Sequence, residues 1–370
     1  MPDSRFPASA AAIAARTVRE DVLAGVAYPV ESADGMIKLD AMENPYRLPD
    51  DVAQALGRHL AGVALNRYPP ADPQAFKQRL AASIGLPAGM TLMLGNGSDE
   101  LIHLAIQACA RNGEQQATVL APAPSFVMYQ ISARLNHCRY VGVPLGRDFA
   151  LDVDAMTEAL RTHRPTVTFI AYPNNPTGTL FDRAAVEAVL DAAPGLVILD
   201  EAYLPFAQKT WLQDLAGRPN LLVLRTLSKL GLAGIRLGYL CGDPAWIGEF
   251  EKVRPPYNVN VLTLAAADFL LEHFGVLEAQ AATLRAARTT MFDALRRLPG
   301  VTAFGSAANF VLVRVPDADA AHKALKARGI LIKNVSRMHP QLANCLRITI
   351  GTPDENDAVL SALKDALGNA

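Results

Sequence analysis

From Thr91 to Gly242 the chain repeats one unit: a short apolar run closed by Gly, Pro or Asn, then a longer stretch with helical period. Apolar runs of this kind belong to strands buried on both faces, and the intervening helices are the crossovers that parallel neighbours need. The runs at 91–95, 117–122, 139–145, 166–173, 196–203, 220–228 and 236–242 read as seven strands of one large, mostly parallel sheet. Helices are expected at Ser98–Arg111 and Arg183–Ala193, and 261–300 reads as one long helix, bent near Gly275, that leaves the large domain. Three further strands, within 308–315, 329–335 and 345–351, precede a final helix in 352–367 whose proline and acidic residues sit where a helix start favours them. The fold class is therefore α/β, with a large domain and a smaller one. The expected division is an N-terminal arm at 1–44 that belongs to the small domain, a large domain at 45–265 and a small domain at 266–370.

With 51% hydrophobic residues the 370-residue chain can bury a substantial core. Its net charge of −1, without a long block of either sign, points away from nucleic acid or a membrane surface and towards small-molecule substrates. Cys109, Cys138, Cys241 and Cys345 stand far apart with no C-x-x-C pair. They read as core residues of a protein from a reducing compartment, with no disulfide framework and no structural metal. The first residues resemble a signal sequence only in part, because the apolar stretch is nearly all alanine and charge resumes at Arg16; a helical arm is expected. No uncharged apolar run reaches the roughly 18 residues a membrane span needs, and a cytoplasmic location is expected.

The chemistry gathers at strand ends. "LGNGSDELIHLAI" leaves a strand and opens a helix, so Gly97, Ser98 and Asp99 bring backbone N–H groups and a hydroxyl to a positive helix end, a place for a phosphate. An ordinary glycine turn with Ser98 as N-cap would look the same. The dinucleotide fingerprint fails at Glu100, and G-x-x-x-x-G-K-[ST] is absent. "LVILDEAY" ends an apolar strand in Asp200, Glu201 and Tyr203, at the carboxyl edge where open sheets place ligands; the alternative is a carboxylate that caps the next loop. "YPNNPTG" brings Asn174 and Asn175 to another strand end, with a plain turn as the alternative. Lys229, one of only nine lysines, follows the strand "NLLVLRTL" and sits beside Thr226 and Ser228. An amine kept from bulk water beside cations loses its proton readily and becomes a nucleophile able to form a Schiff base. A lysine for an imine, an aspartate for a pyridinium nitrogen, an asparagine and a tyrosine for a phenolate oxygen, and a glycine-serine helix start for a phosphate match one cofactor, pyridoxal phosphate.

In order along the chain, "ENPYR", "RYP", "GNGSDE", "NNPTG", "DEAY", "TLSK…GIRLG" and "CLRITIG" resemble the fold-type-I pyridoxal-phosphate-dependent aminotransferases, and within them the histidinol-phosphate branch, from about Ile13 to the end. The resemblance implies that Lys229 carries the cofactor and then shuttles the substrate proton, and that Asp200 keeps the ring nitrogen protonated. It implies that Asn175 and Tyr203 hydrogen-bond the phenolate oxygen and that Phe126 stacks on the ring. Gly97, Ser98, Asp99 through its backbone, Thr226, Ser228 and Arg236 would hold the phosphate. Tyr68 would reach the same phosphate from the neighbouring subunit, making a homodimer part of the site. The loop from Lys229 to Arg236 spans seven positions, one fewer than in many relatives, and Met42 and Arg47 stand where relatives commonly carry asparagine and glycine.

Arg347, on a strand of the small domain with apolar neighbours, is the candidate clamp for a substrate carboxylate or phosphate, a forked guanidinium being suited to both. Arg337, Tyr28, Asn44 and Asn258 are further candidates for the same pocket. The implied reaction is ping-pong: glutamate gives its amino group to the cofactor, imidazole-acetol phosphate takes it to become histidinol phosphate, and 2-oxoglutarate leaves. An aromatic or branched-chain aminotransferase, or a threonine-phosphate decarboxylase of the same fold, would share the cofactor residues. A DNA-binding regulator built on this fold would need a leading domain, and only about 30 residues precede the family core, too few for a helix-turn-helix unit.

Overall fold

A computed structural model describes residues 9–27, 31–110 and 116–368. The chain divides into two compact units, Met1–Gly35 and Met36–Ala370. Within the first, helix Ala10–Thr17 is capped by Ser9, whose hydroxyl accepts from the Ala12 N–H at 3.3 Å, and a single turn follows at Glu20–Leu23. Tyr28 and Arg111 lie outside the described residues.

The second unit carries β1 (Ile37–Leu39), β2 (Thr91–Asn96), β3 (Thr118–Ala123), β4 (Arg139–Pro144), β5 (Val167–Ala171), β6 (Leu196–Asp200), β7 (Leu221–Thr226) and β8 (Leu237–Gly242). It continues with β9 (Thr302–Ala303), β10 (Phe310–Arg314), β11 (Ile330–Asn334) and β12 (Cys345–Thr349). Seven strands form one sheet in the order β2-β8-β7-β6-β5-β3-β4, in which β8 alone runs against its neighbours. Every residue of β5, β6, β7 and β8 is buried, as the unbroken apolar runs require of strands covered on both faces. The second sheet, β1-β11-β12-β10-β9, holds the three strands expected from the sequence and two that were not, β1 and β9, each too short to give a periodic signal.

Two expectations are corrected. Residues 261–300 do not form one bent helix: Val261–Leu271 ends at Glu272, and His273 starts a separate helix, Phe274–Leu295, with Gly275 inside its first turn. The break is held locally, with the His273 ring stacked on Phe269 at 4.5 Å and its Nδ1 3.1 Å from the Phe269 carbonyl. Strand β6 ends at Asp200 rather than at Tyr203, which instead precedes a short helix, Leu204–Ala207. The C-terminal helix Pro353–Gly368 starts as expected: the Thr352 N–H donates to Glu355 Oε2 at 2.8 Å and the Glu355 N–H to Thr352 Oγ1 at 3.4 Å, a reciprocal cap. Cys138, Cys241 and Cys345 are buried and Cys109 half-buried, all as free thiols. Among the described residues no helix is long and apolar enough to cross a membrane.

Candidate active site

The carboxyl ends of β5, β6 and β7 open into a cleft, the place where open parallel sheets bind their ligands. Ten of the residues singled out from the sequence line it: Ser98, Asp99, Phe126, Asn175, Asp200, Tyr203, Thr226, Ser228, Lys229 and Arg236. They arrive from five separate segments because parallel strands end together at one edge of the sheet.

Asp200 is the last residue of β6, in register with Leu224 of β7 and Ala171 of β5, and is 4% exposed. Its Oδ2 accepts from Tyr129 Oη at 2.7 Å and its Oδ1 from the Ala202 N–H at 3.0 Å. Burial outweighs both donors and pushes the carboxyl up from 3.8 to about 6. A cation against this carboxylate would lower it again, which is the property a pyridinium partner uses. The next residue turns the other way: Glu201, 1% exposed, meets Arg225 Nε at 2.9 Å on the far face of the strand and also accepts from Thr210 and the Trp211 N–H. The two carboxylates that follow one another in "DEAY" therefore do different work, one facing the cleft and one inside a buried ion pair.

Lys229 lies in a widened helical turn, Ser228–Leu232, that relaxes through Gly231 at φ 131°. Burial, with the Arg347 charge adding to it, brings the amine down from 10.5 to about 8. Its Nζ donates to the Ala41 carbonyl at 3.1 Å. A short 3-10 turn, Ala233–Ile235, then delivers Arg236 in the left-handed conformation, φ 52°. The shortened loop still brings Arg236 into the cleft: its Nη1 donates to Ser228 Oγ at 3.2 Å and its Nη2 stands 3.6 Å from Asp99 Oδ2. Thr226 Oγ1 joins the corner by donating to Ser228 Oγ at 3.0 Å.

Gly97 borders this corner at φ +78°, and a Cβ there would stand 2.6 Å from Arg236 Nη2, so only glycine leaves the guanidinium its place. Gly97 and Ser98 open the helix Gly97–Cys109, and the N–H groups of a helix's first turn suit an anion. A buried carboxylate for a ring nitrogen, an amine with lowered basicity, and a corner of hydroxyls, glycine and arginine for a phosphate together fit pyridoxal phosphate.

Arg347 sits behind the cleft, 7% exposed, with Nη1 donating to Asn175 Oδ1 and Nη2 to the Asp40 carbonyl, both at 2.7 Å. Its guanidinium also lies 5.5 Å from the centre of the Phe310 ring, which stacks edgewise on Tyr203. The neighbouring Asn174 is structural, donating to the Pro124 carbonyl and Thr177 Oγ1 at 2.9 Å each.

Besides Gly97 and Arg347, three expected pocket residues do not line the cleft, and Tyr68, expected to act from a neighbouring subunit, stands apart from it. Arg337 points outward, its side chain 87% exposed, and pairs with Asp319 at 3.0 Å near the start of helix Ala318–Ala327. Asn44 donates to the Leu230 carbonyl at 3.2 Å and to Gln280 Oε1 at 2.9 Å, tying the segment after β1 to the lysine turn. Asn258 is engaged by Glu100 and Arg254. Tyr68 is 81% exposed and stacks on Tyr257 at 4.8 Å. Sequence reasoning missed Tyr129 and Met42. Tyr129 lies three positions after Phe126, on the same side of the helix Val127–Leu135 as the cleft, and that spacing was the available signal. Met42 lines the cleft at φ 53°, and nothing in an isolated methionine announces a left-handed residue.

Residues 34–363 match the family model of aminotransferase class I and II, and the chain belongs to that family. It is 58% identical over 351 residues to histidinol-phosphate aminotransferase 1 of Burkholderia lata, covering 95% of this chain and 98% of the relative. The protein of the same name from Ralstonia nicotianae is 57% identical over 357 residues, covering 95% of each. Among solved structures, the histidinol-phosphate aminotransferase of Sinorhizobium meliloti in complex with pyridoxal-5'-phosphate superposes with a TM-score of 0.83 at 24% identity, over 95% of this chain and 98% of that one, which supports the fold.

Proposed function

We propose that this chain is a histidinol-phosphate aminotransferase, moving an amino group between glutamate and imidazole-acetol phosphate with pyridoxal phosphate as cofactor. The observation that carries the reading is the opposition of a buried amine of lowered basicity, Lys229, to a buried carboxylate, Asp200, across one cleft with a phosphate corner. Identity of 58% to named relatives supports the substrate.

When bound, the cofactor supplies an electron sink that lets a proton leave the substrate carbon. Lys229 would hold the cofactor and would take and return that proton at Nζ, a task for which a value near 8 is suited. Asp200, oriented by Tyr129 and the Ala202 N–H, holds a proton on the ring nitrogen. Asn175 and Tyr203 would orient the phenolate oxygen, Phe126 would cover the ring face, and Gly97, Ser98, Thr226, Ser228 and Arg236 would bind the phosphate. Arg347, which adjoins the cleft through Asn175, would clamp the substrate anion by exchanging its present partners for it, so that one guanidinium would serve glutamate and the phosphorylated ketone in turn.

The partner reading is a homodimer in which Tyr68 reaches the neighbouring phosphate site; the exposure of Tyr68 at 81% and of nearby Leu65 at 69% supports it. Free thiols at all four cysteines support a cytoplasmic location. The test is a visible spectrum of the purified protein, titrated with glutamate and then with histidinol phosphate, beside Lys229→Ala. Both amines should convert the band of the lysine-bound cofactor, and the variant should turn over neither. Conversion by glutamate alone would reject the substrate and leave the cofactor chemistry standing.

A further inference from the structure

Behind the Asn96–Gly97 turn, outside the cleft, polar side chains form one continuous chain of contacts. Glu100 Oε2 accepts from the Asn96 N–H at 2.6 Å and from Asn258 Nδ2 at 2.8 Å. Asn96 returns the contact, its Nδ2 donating to the Asn258 carbonyl at 2.7 Å. Asn258 Oδ1 in turn accepts from Arg254 Nη1 at 2.7 Å. The same guanidinium donates through Nη2 to the Ala71 carbonyl at 3.2 Å and pairs through Nε with Glu251. Glu251 also meets Lys77 at 3.1 Å, and Lys77 reaches Asp72 at 3.2 Å. The Arg254 and Lys77 side chains are only 13% and 10% exposed.

One end of this chain is the turn before helix Gly97–Cys109, and the other is the segment that follows Tyr68. That turn needs outside support. Gly95 and Asn96 end the β2 ladder against β8 and Gly97, at φ +78°, turns the chain into the helix, so beyond that ladder the direction of the helix's first N–H groups rests on neighbouring side chains. Asn96 is gripped at two points, its N–H by Glu100 and its side-chain amide by the Asn258 carbonyl.

We propose that Asn258, Glu100 and Arg254 are positioning residues for the phosphate turn, fixing it in the direction an anion requires and fastening the segment 70–72 to it. The inference rests on the reading above that this turn receives the cofactor phosphate. None of the three lines the cleft, so their effect passes through Asn96. An amide removed from the half-buried Glu100 carboxylate leaves its Oε2 with the donors of Asn96 alone, and the loss is felt where the carboxylate holds the backbone.

The test compares dissociation constants for pyridoxal phosphate and for pyridoxal, which lacks the phosphate, measured by fluorescence quenching on the full chain stripped of cofactor. Asn258→Ala should raise the constant for pyridoxal phosphate about ten-fold and Arg254→Met about three-fold, with the constants for pyridoxal within about two-fold of wild type. Glu100→Gln, which keeps shape and one acceptor, should fall between wild type and Asn258→Ala. Retained pyridoxal binding also reports a folded variant. Equal losses for both ligands would mean general damage to the site and would overturn the proposal, as would unchanged constants. If wild type itself bound the two ligands equally, the phosphate reading of the turn would be at fault.

Discussion

Replacing Asp200 by asparagine separates what this carboxylate does for the fold from what it does for the cofactor. Burial raises its folded value from 3.8 to about 6, so the unfolded chain holds the ionised form more comfortably than the folded one does. The sign follows from this: the carboxyl favours the folded state below 3.8, and that contribution is lost as pH rises through about 6. At about 1.4 kcal/mol per tenfold, the loss amounts to about 3 kcal/mol by pH 8. Asparagine has the same outline, accepts from the Ala202 N–H through its Oδ1, and carries no charge. Cofactor-stripped Asp200→Asn should therefore be more stable than wild type by up to about 3 kcal/mol at pH 8, and the difference should shrink towards zero near pH 4. Urea unfolding at pH 4.5, 6 and 8 measures this, each midpoint being converted with a shared slope. In the presence of pyridoxal phosphate the order should reverse, because the amide cannot ion-pair with a protonated ring nitrogen. A variant less stable than wild type at pH 8, or a difference that does not change with pH, would refute the assignment of a buried, poorly solvated carboxylate.

Tyr129→Phe removes one donor to that carboxylate and should lower kcat/KM about ten-fold while moving the acid limb of its pH profile upward, since an Asp200 with fewer donors ionises later; an unmoved limb would separate Tyr129 from the chemistry. Gly97→Ala places a Cβ against Arg236 at a positive φ and should weaken pyridoxal phosphate binding at least about ten-fold, measured by equilibrium titration. Arg225→Met leaves Glu201 buried without its cation and should cost about 3–5 kcal/mol of stability, whereas the double variant with Glu201→Gln should recover a large part of it in the same unfolding assay.

The strands were legible because their chemistry is written in consecutive residues: an apolar run followed by Asp200, or by Thr226, Ser228 and Lys229, gives the element, though β6 and β7 stop at Asp200 and Thr226, short of the expected Tyr203 and Ser228. The seven strands of the large sheet follow from the same runs. What escaped depends on partners far away in sequence. Asn258 reads as a pocket residue because it sits in a tight connection, yet Glu100 and Arg254 claim its amide. Arg337, three residues past the end of β11, has a nearby surface carboxylate, Asp319, that only the folded helix brings beside it. Tyr129 belongs to the helix Val127–Leu135, which was not among the expected elements, and its hydroxyl becomes important only once β6 places Asp200 within its reach. The broken helix at Glu272–His273 was hidden by helical period on both sides of the break, with no proline to mark it.

The pairing of Asp200 and Glu201 on opposite faces of one strand end constrains how such a site can change over time. A slip of one residue in β6 would bring Glu201 to the cleft in place of Asp200 and put Ala202 where Glu201 meets Arg225, so it would damage cofactor binding and folding together. Insertions and deletions near this strand are therefore closed to gradual adaptation. The freedom to acquire new substrates lies instead with residues such as Met42, which border the cleft without belonging to the large sheet. An engineer seeking a different amino acceptor should leave the register of β6 and β7 untouched and diversify that wall.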